Sequence, residues 1–265
     1  MFPRLVQFGA LTIPTQGALI ALGLMLALLL SVRTSRLLGL NPDRVWNLAF
    51  LAVFSFILGG RIVLFATHWR DYAQYPAMML TVSIHSPAIL IGGFAIALAA
   101  CIIYLRLHPL PILRTFDALT PPLVLGYAFA CLGAFASGAD YGTPTTLLWA
   151  VHFHSRYALM WNGTPQDIPL HPVQLYQAAF EFLLCGFLLF LLKKNLKDGR
   201  ITGAWLFLGG ISHFLFELIR GNRGTELFGG LFDLTQALAL LMVAIGAILW
   251  MDRNNAPEAL APGNE

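Results

Sequence analysis

Charged residues are scarce in this chain. Asp, Glu, Lys and Arg make up 11% of its 265 residues, whereas 58% are hydrophobic. Soluble domains carry roughly 25% charged residues, so this composition excludes an ordinary water-soluble fold. A chain of this length and hydrophobicity is expected to be a multi-pass membrane protein.

Cysteine is scarce too, and the usual signs of bound metal are missing. Cys101, Cys131 and Cys185 all fall within apolar runs, which argues against a disulfide framework. His152 and His154 stand two residues apart, but two ligands are too few for a convincing metal site. The sequence therefore predicts no metal and no cofactor. The net charge of +3 is explained by basic loops facing anionic lipid and gives no support for nucleic-acid binding.

What the chain does have is long apolar runs. A hydrocarbon core of roughly 30 Å requires about 20 apolar residues per helix. The first run is too long, and too poor in small residues at a cleavage site, to be a removed signal peptide, so we expect it to remain as a helix. The sequence predicts an all-α membrane protein with seven transmembrane helices, at 12–32, 46–66, 86–105, 118–138, 173–192, 202–220 and 231–250.

Basic residues are concentrated in alternate loops, those after predicted helices 1, 3 and 5. Short cytoplasmic loops are enriched in Lys and Arg, so we expect the N-terminus outside and the C-terminus in the cytoplasm. The basic residues of these loops are Arg33, Arg36, Arg44, Arg106, Arg114, Lys193, Lys194, Lys197 and Arg200.

Two segments depart from the helical pattern. Residues 139–171, between predicted helices 4 and 5, contain several Gly and Pro and the alternating stretch VHFHSRY. This alternation favours a short strand in a small external head. Residues 1–252 then form the transmembrane domain, and the polar, proline-containing stretch 253–265 is expected to be a disordered cytoplasmic tail.

Ionisable residues inside the apolar runs are the candidates for a site. Each costs roughly 2.5–3.5 kcal/mol on insertion scales, so each requires a partner or a polar cavity. Most lie near the predicted outer ends of their helices, which suggests a cavity open to the outer leaflet. The candidates are Arg61, Asp117, Glu181, His213, Glu217, Arg220 and Asp233.

Three of these candidates share one predicted helical face. His213, Glu217 and Arg220 are spaced i, i+4, i+7 along predicted helix 6. One interpretation is a site for an anionic headgroup, in which arginine binds phosphate. The alternative is a structural ion-pair network that fixes helix packing.

The motif HPVQLY opens predicted helix 5. Pro172 suits the first turn of a helix, and His171 then lies about where a cap would. Gln174 and Tyr176 could hydrogen-bond neighbouring helices. A structural role and a functional role are both open for this motif.

Five motifs, in order along nearly the whole chain, resemble those of the bacterial prolipoprotein diacylglyceryl transferases. They are GGRIVLF at 59–65, the pair Gly92 and Gly93 followed by Arg106, DALTPPLVLG at 117–126 continuing to GADYG with Gly138 and Gly142, HPVQLY with Glu181 beyond it, and HFLFELIR with Gln236 downstream.

The resemblance implies a function. Members transfer the diacylglyceryl group of phosphatidylglycerol to the cysteine thiol of a lipoprotein precursor in the bacterial cytoplasmic membrane, leaving glycerol phosphate. For this chain it implies phosphatidylglycerol and a precursor peptide as partners. We expect Arg61 and Arg220 to bind the lipid headgroup. Glu217 is a candidate catalytic residue, and so is His213, although the family has another residue there.

The chain departs from the family pattern at positions expected to carry chemistry. It has Gln16 for a tyrosine, Ile91 for a histidine, Cys131 and Ala134 for an arginine and an asparagine, Ala139 for an acid that many members carry, and His213 for an arginine.

Three hypotheses follow from these departures. A rewired transferase would use His213 or His85 as the base, with Asp140 replacing the lost acid one position away. A catalytically silent relative would bind phospholipid or precursor without transfer. A small transporter would use the buried charges along a path, although neither discontinuous helices nor a repeated half is seen.

Overall fold

The structure is a computed structural model that describes residues 4–8, 11–67, 69, 87–194, 196–222, 226–227 and 232–251. Helices dominate these ranges. The elements in chain order are β1 (Arg4–Phe8), β2 (Leu11–Pro14), α1 (Thr15–Leu37), α2 (Pro42–Thr67), α3 (Pro87–Leu107), α4 (Ile112–Ser137), α5 (Arg156–Asn162), α6 (Val173–Leu192), α7 (Arg200–Leu218), β3 (Glu226–Leu227), β4 (Phe232–Asp233) and α8 (Leu234–Met251).

Six of these helices, namely α1, α2, α4, α6, α7 and α8, are long and apolar enough to cross a membrane. The helix α3 has 21 residues, and its part Gly92–Leu107 is counted as a shorter apolar helix. The chain is therefore a multi-pass membrane protein, as its composition predicts.

The observed helices differ from the predicted ones mainly at their ends. The helix α4 begins at Ile112, six residues before the predicted start at 118, and α7 ends at Leu218 rather than at 220. Two short antiparallel hairpins, β1–β2 and β3–β4, were not predicted. The strand predicted within VHFHSRY is wrong beyond Val151, which forms a single bridge to Leu170, because the chain from Arg156 onward turns into α5. The predicted tail, 253–265, lies outside the described residues.

The helices fall into two compact units, Gly39–Pro111 and the remainder of the chain. In the smaller unit, α2 packs against α3 through small residues. A Cβ atom on Gly92 would collide with Val63, and one on Gly93 would lie 2.7 Å from the carbonyl oxygen of Phe56. Small residues of this kind let two membrane helices approach closely, so this glycine pair has a packing role.

In the larger unit, α4 packs against α1, α6 and α7. Two consecutive prolines, Pro121 and Pro122, lie inside α4 and remove backbone donors. The carbonyl of Ala118, four residues before Pro122, instead accepts a hydrogen bond of 2.6 Å from the Thr34 hydroxyl of α1. A neighbouring helix thus satisfies a backbone group that lipid could not.

Asp117 of α4 caps the start of α7. Its carboxylate accepts hydrogen bonds from the backbone N–H of Gly199 at 2.7 Å, from that of Thr202 at 2.8 Å, and from the Thr202 hydroxyl at 2.7 Å. The residue preceding α7 is Gly199, which has no side chain and a φ of 87°. Since the first N–H groups of a helix have no partner within it, Asp117 supplies the cap that Gly199 cannot. This places Asp117 in a structural role.

We expect Asp117→Ala to lower the free energy of unfolding by about 2 kcal/mol or more, because it removes a helix cap and leaves buried donors without a partner. Denaturation in detergent micelles measures the change. The matched control is Asp43→Ala at the exposed first turn of α2, which we expect to cost about 0.5 kcal/mol or less. Equal stability of the two variants would contradict the capping role.

Candidate functional site

The segment after α4 is paired with the segment after α7. Gly142 and Arg220 form an antiparallel bridge, and the N–H of Gly221 donates to the carbonyl of Tyr141 at 2.8 Å. These backbone contacts hold Arg220 beside the polar segment that begins at Gly138, where φ is 81°. Two motifs that lie some eighty residues apart in sequence therefore meet.

Close backbone packing at this junction requires glycine. A Cβ atom on Gly142 would collide with the carbonyl oxygen of His171, and one on Gly221 would lie 2.7 Å from the Tyr141 ring. The N–H of His171 also donates to the carbonyl of Thr143 at 3.0 Å. The start of the HPVQLY motif is thereby packed against the same junction.

The rest of the HPVQLY motif connects the 139–171 segment to α6 through hydrogen bonds. Pro172 directly precedes α6. Gln174 donates from Nε2 to the carbonyl of Ala139 at 2.6 Å, and the Tyr176 hydroxyl accepts from the indole N–H of Trp149 at 2.6 Å. These contacts favour the structural role that the sequence left open.

Arg220 is the central cation of the site. Its Nε lies 3.1 Å from Oε2 of Glu217, its Nη2 donates to Oε1 of Gln177 at 3.2 Å, and its Nη1 lies 3.5 Å from Oδ1 of Asp140. The Arg220 side chain is 16% exposed and that of Glu217 is 2% exposed, whereas that of Asp140 is 49% exposed. The Asp140 contact is the longest and most exposed of the three, and is therefore the one that an anionic ligand could most readily replace.

Gln177 of α6 is a residue that the sequence analysis missed. It is buried, and its amide contacts the Tyr127 hydroxyl at 2.8 Å and Nδ1 of His213 at 3.0 Å, in addition to Arg220. Gln177 thus connects α4, α6 and the end of α7. A polar residue inside an apolar run, three positions after Gln174 on the same helical face, was the signal that could have found it.

His213, Glu217 and Arg220 do meet, although not as one helical face. The helix α7 ends at Leu218, so Arg220 lies in the turn that follows. His213 reaches the group through Gln177, and its ring centroid lies 5.5 Å from that of Tyr127. The structure brings these three residues together, while their role as a site stays a prediction. The predicted continuous helix to 220 is wrong because the chain turns to pair with Gly142.

Glu181 lies one turn further along α6 and is fully buried. Within the described ranges, neither of its carboxylate oxygens has a hydrogen-bond partner. A buried acid without a partner is costly, and such groups in membrane helices are frequently functional.

Two other predicted residues have a capping role at α8. The N–H of Gln236 donates to Oδ1 of Asp233 at 2.7 Å, and the N–H of Asp233 donates to Oε1 of Gln236 at 3.2 Å. This reciprocal pair is the geometry of a capping box. Asp233 and Gln236 therefore act at the start of α8 in the structure.

The substituted positions on α1 and α4 are packing positions. Cys131 and Ala134 are buried on α4, and a Cβ atom on Gly133 would lie 3.1 Å from the backbone oxygen of Gln16. Arg61 lies on α2 in the smaller unit, and its role stays a prediction. The side chain of Ile91 and the whole of His85 lie outside the described residues.

As a chemical environment, this site offers a cation and several hydrogen-bonding groups. Arg220 can bind an anion, Glu217 orients the guanidinium, and His213 and Tyr127 add polar groups through the Gln177 amide. Among the described residues, no group of three His, Cys, Asp or Glu side chains is arranged to hold a metal ion. The arrangement suits recognition of a phosphate.

Comparison with known proteins identifies relatives that match nearly the whole chain. A family model described as prolipoprotein diacylglyceryl transferase matches residues 3–252. The chain is similar to the phosphatidylglycerol–prolipoprotein diacylglyceryl transferase of Clostridium tetani, with 28% identity over 94% of this chain and 97% of that protein. It is also similar to the proteins of that name from Synechococcus elongatus, with 29% identity over 98% and 91%, and Symbiobacterium thermophilum, with 29% identity over 98% and 97%.

We expect Gly142→Ala to destabilise the protein by roughly 1–3 kcal/mol, because the new methyl group would force apart the segments that hold Arg220. Thermal unfolding in detergent measures the change. Gly186→Ala on α6 is the matched control, since no neighbouring atom lies within 4 Å of its added Cβ. If the two variants melt at the same temperature, the backbone around Gly142 has room for a methyl group and the close packing there is refuted.

Proposed function

The chain belongs to the prolipoprotein diacylglyceryl transferase family, and we propose that it transfers the diacylglyceryl group of phosphatidylglycerol to the cysteine thiol of a lipoprotein precursor. The observation that carries this proposal is the largely buried Arg220, which contacts Glu217 and Gln177 and whose remaining nitrogen faces the half-exposed Asp140. This is a cation prepared for an anion that arrives from outside the protein.

The reaction requires stabilisation of a phosphate leaving group. As the thiol sulfur forms its bond to the glyceryl carbon, the bond from that carbon to the phosphate oxygen breaks and negative charge collects on glycerol phosphate. A fixed guanidinium beside that oxygen stabilises the developing charge. Glu217, at 3.1 Å, keeps the guanidinium in place, and the phosphate displaces Asp140 from Nη1.

Two further proposed site residues belong to the Arg220 group. His213 and Glu217 are proposed as catalytic, since Glu217 contacts Arg220 directly and His213 is joined to it through Gln177. Arg61 of α2 is proposed as a headgroup ligand on the resemblance alone. The thiol must lose its proton to become a strong nucleophile, which requires a base near the peptide. The partners are phosphatidylglycerol and a lipoprotein precursor.

The proposed setting is the bacterial cytoplasmic membrane, with seven spans and the N-terminus outside. The basic residues of alternate loops support this orientation. The helix α7 has 19 residues and rises about 28 Å, so Arg220 lies at the end opposite the basic loop near Lys197. The site then faces the outer leaflet, where residues 139–171 form an external head.

One observation favours a second candidate, a silent relative that binds phospholipid or precursor without transfer. Cys131 and Ala134 are buried on α4 at positions where the resemblance implies an arginine and an asparagine, so α4 adds no cation there. Arg220 would then hold a lipid phosphate without supporting its departure.

Mass spectrometry of a lipobox cysteine peptide, incubated with the purified protein in phosphatidylglycerol vesicles, tests the transfer. We expect a diacylglyceryl mass added to the thiol. The rate should fall roughly 100-fold or more in Arg220→Gln, because a preorganised charge donor is lost.

The matched control is Arg156→Gln, at an exposed position of α5. Its rate should stay near that of the unaltered protein. If no adduct forms while another member of the family works in the same vesicles, transfer is refuted and the silent relative is favoured.

A further inference from the structure

Arg220 determines which way the Gln177 amide faces. A guanidinium only donates hydrogen bonds, so the Gln177 atom 3.2 Å from Nη2 must be the carbonyl oxygen. The NH2 group then faces the Tyr127 hydroxyl at 2.8 Å and Nδ1 of His213 at 3.0 Å. Both amide hydrogens and the amide oxygen are used, which leaves no other orientation that satisfies Arg220.

This orientation determines the protonation of His213. Because the Gln177 amide donates to Nδ1, that nitrogen must accept, and the neutral imidazole then carries its hydrogen on Nε2. A hydrogen on Nδ1 would place two donors against each other. Among the described residues, none accepts a hydrogen bond from Nε2 of His213, so that hydrogen is available to a ligand.

We propose that Gln177 is a positioning residue that holds His213 as the Nε2–H tautomer, and that His213 and Arg220 together donate hydrogen bonds to the phosphate of the lipid headgroup. The inference rests on the proposed function. It gives His213 the role of a donor rather than that of the base suggested by the sequence, since a base at Nε2 needs a free lone pair there.

The geometry makes the two donors a unit. Arg220 and His213 are bonded to opposite ends of one buried amide, so neither can move without disturbing the other. A phosphate has several acceptor oxygens and can receive a hydrogen bond from each. The Tyr127 ring, with its centroid 5.5 Å from that of His213, limits rotation of the imidazole.

Nitrogen-15 NMR of the histidine rings in the full chain tests the tautomer without requiring activity. The chain has 7 histidines, and the His213 signals are those that disappear in His213→Gln. We expect the hydrogen on Nε2 in the unaltered protein. Gln177→Glu should move it to Nδ1, because a carboxylate can only accept. A hydrogen on Nδ1 of His213 in the unaltered protein would overturn the proposal.

Two substitutions of His213 separate a donor from a base. The glutamine amide in His213→Gln can donate from about the position of Nε2 but cannot act as a base, and His213→Leu can do neither. We expect phosphatidylglycerol in nanodiscs to bind His213→Leu roughly tenfold or more weakly than His213→Gln, as for loss of a hydrogen bond to a charged group. Transfer rates should rank in the same order.

The control is His152→Gln, at an exposed position after α4, which should leave binding and transfer unchanged. Equal binding by the Gln and Leu variants of His213 would overturn the donor role. If the tautomer and the binding order are as expected but the unaltered protein forms no peptide adduct, the transferase proposal fails and the phosphate site stands.

Discussion

A guanidinium in a mostly buried position at the end of a membrane helix must be compensated, and much of the larger unit is arranged around that requirement. Glu217 provides the charge from α7, Gln177 provides an oxygen from α6, and Asp140 provides a second acid from the segment after α4. Each partner comes from a different element, so the position of Arg220 depends on the packing of all three. Burial of an arginine without such partners would cost several kcal/mol.

The requirement that every buried polar group has a hydrogen-bond partner also explains how the helices pack. In lipid there is no water to satisfy a free N–H or C=O, so side chains on neighbouring helices do so. Asp117 of α4 accepts hydrogen bonds from N–H groups at the start of α7. The Thr34 hydroxyl of α1 donates to the Ala118 carbonyl of α4, which has no partner within its helix because Pro122 lacks an N–H. These bonds specify which helices are neighbours, because apolar surfaces alone do not distinguish protein from lipid. The start of α7 is therefore determined by its cap from α4, and its end by the pairing of Arg220 with Gly142.

The sequence predicted the approximate helices and singled out several polar residues of the site, but it did not show what each of them contacts. His213, Glu217 and Arg220 were singled out because charges and histidine are rare in apolar runs, and they do lie together. Asp117 and Asp233 stood out for the same reason and Gln236 through the family resemblance, and in the structure all three act at the starts of helices. Rarity shows that a polar residue has a partner, and it does not show whether the partner is a backbone group or a ligand. Gln177 was missed because it carries no charge and lies just outside the HPVQLY motif.

What the sequence determined by itself was the membrane class and the approximate spans, because burial in lipid requires long apolar runs that composition makes visible. The family resemblance also followed from residues alone. The tertiary structure decided how the polar atoms pair: α7 stops before Arg220, and Gln177 joins Arg220 to His213. Pairing of this kind depends on distances and donor directions between helices far apart in sequence, and no local pattern of residues encodes them.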